Sequence, residues 1–198
     1  MKDIKTVLLF ALSGIILFLV FFFPNKIIQL KNTQSLIIKN VADTQSITDF
    51  YHSNFDLNQK MLGVIAPDFL CKEYLTEEIL LSGMVKEKPL LIFRFKEQSC
   101  TPCYIEELNT LQQILTENKD YVKIFSSFSN FRSLMILINK HDITMSTYLI
   151  PFDAFDWPAE ENDKPYYFVL HPNMKISHIY VPDKVFPELN KQYLEGIM

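Results

Sequence analysis

Past residue 60 the chain alternates between short apolar runs and amphipathic stretches. Lys88-Pro89 opens Leu90-Leu91-Ile92-Phe93-Arg94-Phe95, rich enough in aromatic and branched residues to predict a buried strand. A polar loop, Lys96 to Ser99, follows. Tyr104, Ile105, Leu108, Leu111, Ile114 and Leu115 then recur at three- and four-residue spacing, which predicts an amphipathic helix. Tyr121 to Ser127 reads as the next strand and Phe131 to His141 as the next helix. Tyr166 to Leu170 and Ile176 to Val181 read as two strands joined by His171-Pro172-Asn173-Met174-Lys175, turn chemistry of hairpin length. Val185 to Ile197 fits a closing helix. This order calls for a right-handed parallel crossover followed by a hairpin, in a three-layer α/β arrangement.

Two other patterns precede this domain. Val7 to Phe23 is an apolar run broken only by Ser13 and Gly14, and it reaches roughly 25 Å as a helix, enough to span a bilayer. A cleaved signal peptide is the competing reading. The run ends in Phe21-Phe22-Phe23-Pro24-Asn25-Lys26, with no pair of small residues to cut after, so residues 1–24 are expected to stay as an anchor. Lys2 and Lys5 before the run balance Lys26 and Lys31 after it, and the short leading segment favours translocation of the rest. The expectation is a single-pass protein of the inner (cytoplasmic) membrane with its domain in the periplasm. Residues 25–60 are polar with scattered apolar positions and no sustained helical period, and read as a stalk or N-terminal extension. Residues 61–198 form the domain.

Composition narrows the function. Of 198 residues, 48% are hydrophobic and 21% charged, which suits a folded domain. The net charge is -4, with no Lys/Arg run, so nucleic-acid binding has no basis. The cysteines are Cys71, Cys100 and Cys103, too few to staple a domain that is large enough to bury a core. One close pair and one distant single point to chemistry at the pair.

Cys100 and Cys103 fall between a predicted strand and a predicted helix. Residues three apart share a helix face, so both sulfurs reach disulfide distance. Free N–H groups and the dipole at a helix start favour a thiolate, and Pro102 fits the first turn. Cys100, nearer the exposed end, is then the nucleophile that forms a mixed disulfide, and Cys103 the resolving thiol. Three plainer readings compete: a buried structural disulfide, half of a zinc site, and a peroxidatic cysteine. Zinc lacks a second CxxC or an HxxxH, since His52, His141, His171 and His178 are scattered. No metal or other cofactor is expected.

The segment Phe93-Arg94-Phe95-Lys96-Glu97-Gln98-Ser99-Cys100-Thr101-Pro102-Cys103 resembles the active-site strand and helix start of thioredoxins. It is closest to the membrane-anchored bacterial thioredoxin-like thiol-disulfide oxidoreductases of the TlpA/ResA kind. Lys164 to Ile176 resembles their later segment of cis-proline, strand and turn. The interval from Cys103 to Pro165 leaves room for the insertion these proteins carry. The resemblance implies a thioredoxin-like three-layer sandwich with a mixed central sheet, preceded by a transmembrane helix. It also implies thiol-disulfide exchange with protein substrates, leaning toward reduction and fed by a membrane electron donor. Pro165 would then be cis and pack against the Cys pair, an assignment resting on the resemblance alone, because X–Pro bonds are cis only about 5–6% of the time. The alternative is a non-catalytic binding module whose CxxC is structural.

Departures from the family pattern name further candidates. Ser99 stands where an aromatic is usual, which should loosen the patch that grips partners. Arg94 stands where thioredoxins place a buried acid. It either lies near the Cys pair and favours the thiolate, or leaves the core to pair with an acid such as Glu73 or Glu97. Lys164 could add to the same field, and Thr101 and Pro102 tune the pair from within; a positive field stabilises the reduced form and makes the protein more oxidising. Trp157 is either a wall of the substrate groove or a packed loop aromatic. Glu106 and Glu107 read as a solvated helix face, with a proton relay to Cys103 as the sharper option. Cys71 is expected to be a buried free thiol, with a regulatory or intermolecular disulfide as the alternative, and His171 and His178 to be structural.

Overall fold

The structure is a computed structural model that describes the backbone of residues 2–74, 76–115 and 119–197, and the side chains of residues 31, 33–74, 76–115 and 120–197. The run 7–23 expected to anchor the chain lies outside the described side chains. Among the described residues, no helix is long and apolar enough to cross a membrane. The chain divides into two compact units, residues 1–50 and 51–198.

Helix α1, Lys2–Met61, runs through the stretch expected to be an irregular extension. The missing period has a physical reason. Every described side chain up to residue 49 is exposed, including Leu36, Ile37, Ile38 and Val41, so no face is selected for burial. The last turns of α1, in the second unit, behave differently. Asn54 and Asn58, one turn apart, each pair with a backbone group on strand β7, Ile176–Tyr180, or just beyond it. Asn54 accepts from Val181 N–H at 2.7 Å, and Asn58 donates to the Ile179 carbonyl at 3.0 Å. The edge of the sheet is thereby covered. Met61 is buried at 2% exposure.

The remaining elements are β1 Leu70–Glu73, β2 Ile79–Leu80, α2 Leu81–Met84, β3 Leu90–Lys96, α3 Thr101–Ile114, β4 Val122–Ser127, α4 Phe131–Lys140, β5 Thr147–Leu149, β6 Tyr166–Leu170 and α5 Pro187–Ile197. Short 3-10 turns occupy Lys119–Tyr121 and Pro158–Glu160. The strands form one mixed sheet in the order β2-β1-β5-β4-β3-β6-β7. β3, β4 and β5 are parallel, while β6 pairs antiparallel with β3 and with β7. The expected α/β order from Leu90 onward is present, with β5 added before the hairpin; at three residues it is too short to show a period.

The two crossovers β3-α3-β4 and β4-α4-β5 step the same way along the sheet. Right-handedness therefore puts α3 and α4 on one face, and the Gln112 side-chain oxygen of α3 accepts from the N–H of Thr144, in the segment after α4, at 3.0 Å. Alternation along β3 sends Leu91, Phe93 and Phe95 toward α3 and Ile92 and Arg94 to the other face. That second face carries a core of Leu90, Ile92, Phe125, Tyr166 and Phe168, covered by Met61, Leu81, Phe155 and Trp157. The layers are helices, sheet, and a cover of helix ends and loop.

Candidate redox site

The site begins at the end of β3. The backbone turns at residues 97–99, where Ser99 N–H donates to the Lys96 carbonyl at 3.0 Å and Lys96 N–H donates to the Ser99 hydroxyl at 3.0 Å. Glu97 fastens the turn to the loop after β4, its carboxylate accepting from Ser129 N–H at 2.7 Å. Ser99 is buried and closes the turn with its own hydroxyl. An aromatic could not make that bond.

Cys100 is the N-cap of α3 and is exposed, whereas Cys103 is half-buried. The Cys100 carbonyl accepts from the N–H groups of Cys103 at 3.0 Å and Tyr104 at 3.2 Å, so helical bonding starts at the motif itself. The two sulfurs are joined in a disulfide, with Cα atoms 5.2 Å apart. Thr101 and the first-turn Pro102 are exposed, and Tyr104 stacks on Phe95 with ring centroids 4.4 Å apart. This stack holds the first turn of α3 on β3. On reduction, the outer sulfur sits at a helix start that favours its thiolate.

Arg94 does not leave the core, and its acid is neither Glu73 nor Glu97. It is fully buried on the face opposite α3 and meets Glu160, with Nε 2.9 Å from Oε1. Its Nη1 donates to the Phe95 carbonyl at 2.7 Å. Lys96 Nζ lies 2.8 Å from the other Glu160 oxygen and 3.0 Å from Asp163 Oδ1. The Tyr166 hydroxyl donates to Glu160 at 2.7 Å. Burial works against the Lys96 charge, but hydrogen bonds to Glu160 and Asp163 and their charges hold its pKa above the ordinary value. A buried cation on a strand demands a carboxylate, so Arg94 signalled that a partner exists. The 66 residues separating it from Glu160 hid which acid that is.

Pro165 is buried beside this network, but the Lys164–Pro165 bond is trans, contrary to what the resemblance implies. Trans is the default for an X–Pro bond. Asp163, two residues before Pro165, has a left-handed φ of 47°. Lys164 is exposed and borders a cleft of about 300 Å³ together with Lys60, Asp56 and Glu161. Trp157 is a core residue rather than a groove wall. It is 7% exposed, stacked on Phe155 at 4.1 Å and edge-on to Phe168 at 5.3 Å.

Glu106 is exposed as expected, but Glu107 is buried at 4% exposure. Its carboxylate accepts from the Tyr167 hydroxyl at 2.7 Å and from Asn190 Nδ2 at 2.7 Å. Burial raises its pKa, the two hydrogen bonds work against that, and the Glu106 charge adds to the rise. Cys71 is a free, fully buried thiol on β1, pushed up to about 12 by burial and by the Asp68 charge, and is therefore inert. His171 and His178 both reach the Ser177 hydroxyl at 2.8 Å in the β6–β7 hairpin. Among the described residues, no group of three or more His, Cys, Asp or Glu side chains is placed to hold a metal ion.

No protein-family model matches the chain, and no curated protein matches it in sequence. Solved structures do match in fold. The thioredoxin domain of a thiol-disulfide oxidoreductase from Bacteroides vulgatus superposes with a TM-score of 0.54 at 15% identity, covering 69% of this chain and 96% of that one. A thiol:disulfide interchange protein from Bacteroides sp. gives 0.51 at 16% identity, covering 68% and 91%. A thiol-disulfide oxidoreductase from Bacteroides fragilis gives 0.51 at 15% identity, covering 68% and 100%. With the mixed sheet, and the CxxC pair at the N-terminus of α3, these likenesses establish a thioredoxin-like fold.

Proposed function

We propose that this chain is a thiol-disulfide oxidoreductase that reduces protein disulfides outside the cytoplasm, held at the membrane by residues 7–23. The observation that carries the reading is the exposed N-cap Cys100, joined to half-buried Cys103 at the junction of β3 and α3. In the reduced protein the Cys100 thiolate attacks one sulfur of a substrate disulfide, and the other substrate sulfur leaves as a thiolate. The Cys103 thiolate then attacks the Cys100 sulfur of the mixed disulfide and expels the remaining substrate sulfur. Two electrons pass to the substrate, and the Cys100–Cys103 disulfide is left. A dithiol donor at the membrane reduces that disulfide back to the dithiol and is itself oxidised to a disulfide.

The test is turnover of a protein disulfide, such as those of insulin, by the full chain in detergent with dithiothreitol as donor. Activity is expected to vanish in Cys100→Ser. In Cys103→Ser the expected product is a trapped mixed disulfide on Cys100. Wild-type protein that folds, yet neither turns over substrate nor exposes an alkylatable Cys100, supports the binding-module reading instead. Protease protection in spheroplasts tests placement: digestion of the 61–198 domain from outside is expected, and protection there would refute periplasmic exposure.

A further inference from the structure

We propose that Glu160 is a positioning residue of the redox site that masks the Arg94 and Lys96 charges and thereby sets how strongly the Cys100 thiolate is favoured. The inference rests on the redox reading above. Glu160 side-chain exposure is 9%, and each of its oxygens meets a cation. Its backbone carbonyl accepts from Lys96 Nζ at 3.0 Å, and its Oε1 from Tyr166 at 2.7 Å. Lys96 ends β3 and is bonded in both directions to Ser99, the residue before Cys100. Arg94 pairs in register with Tyr166, so the 160–165 segment enters β6 at the end of the sheet from which the Cys100 turn leaves β3. One carboxylate thus joins the two segments at that end.

The charges in the cluster cancel. Arg94 and Lys96 supply two positive charges, and Glu160 and Asp163 two negative ones. Of the other charged groups nearby, Glu97 is held by Ser129, and Lys164 is exposed. With Glu160 ionised, a Cys100 thiolate is stabilised by the start of α3 and gains nothing net from the cluster. A neutral residue of the same shape at position 160 releases one positive charge beside the turn.

The test is the pKa of Cys100 in the reduced full chain in detergent, from thiolate ultraviolet absorbance and alkylation rate against pH. Wild-type protein is first cycled between disulfide and dithiol. A wild-type pair that does not cycle while folded overturns the redox reading and this inference with it. In Glu160→Gln the Cys100 pKa is expected to fall by about half a unit to one unit. In Arg94→Gln/Glu160→Gln it is expected to return to the wild-type value, a reversal that simple loosening of the site would not produce. Asp163→Asn guards against misfolding of the first variant. Asp163 is 56% exposed, and Asn tolerates its left-handed φ, so a smaller fall in the same direction is expected. A cycling wild type with unchanged Cys100 pKa in both Glu160→Gln and Asp163→Asn overturns this inference alone.

Discussion

Tyr166 and Tyr167 are neighbours on β6 that point to opposite faces of the sheet, and each donates to a buried glutamate at 2.7 Å. The two faces solve the same problem differently. Tyr166 serves Glu160, which also meets two cations and lies beside the redox turn. Tyr167 serves Glu107, one helical turn beyond Cys103, whose other partner is the neutral amide of Asn190. A carboxylate matched by cations fastens segments together. One matched by neutral donors stays burdened by desolvation, and its pKa rises. The first is an ion-paired latch, and the second is a carboxyl whose pKa burial raises.

Glu160→Leu should break the contrast most severely, costing about 3–5 kcal/mol because it strands a buried guanidinium. Urea unfolding checks this, and Arg94→Met/Glu160→Leu should recover most of the loss. Trp157→Ala should cost a similar amount, about 3–5 kcal/mol, through a cavity in the same face. Trp157→Phe should leave the KM for a protein disulfide unchanged, since the ring lies in the core.

The tyrosines sharpen the comparison. Tyr167→Phe should cost about 1–3 kcal/mol, because Glu107 retains a single neutral donor. Tyr166→Phe should cost less, about 0.5–1.5 kcal/mol, because both cations remain on Glu160. The pH dependence separates the faces further. The folded-state pKa of Glu107 is raised, so its contribution is fully present below the ordinary value of 4.5 and is lost as pH rises through the folded value. Glu107→Gln should therefore gain stability relative to wild type as pH rises across that window. Urea midpoints of the two proteins across the pH range check the sign.

Much of this molecule was legible in its sequence, and the limits are physical. Leu90 to Phe95 and Tyr166 to Leu170 were readable as short runs of aromatic and branched residues buried on both faces, and the helix after Cys103 because it buries one face at helical spacing. Helix α1 was not, because the exposed positions from 33 to 49 select no face. The Cys pair could be placed by spacing and setting alone. Glu160 and Asp163 could not be assigned, because an acid in the Pro-rich stretch before Pro165 looks like solvated surface until the fold brings it to Arg94 and Lys96. Glu107 was misread for a related reason: it shares the buried face of Tyr104, Leu108 and Leu111, but the partners that let a carboxylate lie there, Tyr167 and Asn190, are 60 and 83 residues away.

The central claim is that Cys100 and Cys103 form a reversible redox pair in the folded protein. Its most direct test is the equilibrium reduction potential of the pair in the full chain, measured in detergent against a dithiothreitol series. The account predicts a reversible two-electron transition with the domain folded throughout, near the value of about -270 mV typical of a thioredoxin. A pair that stays oxidised until the domain unfolds would contradict it.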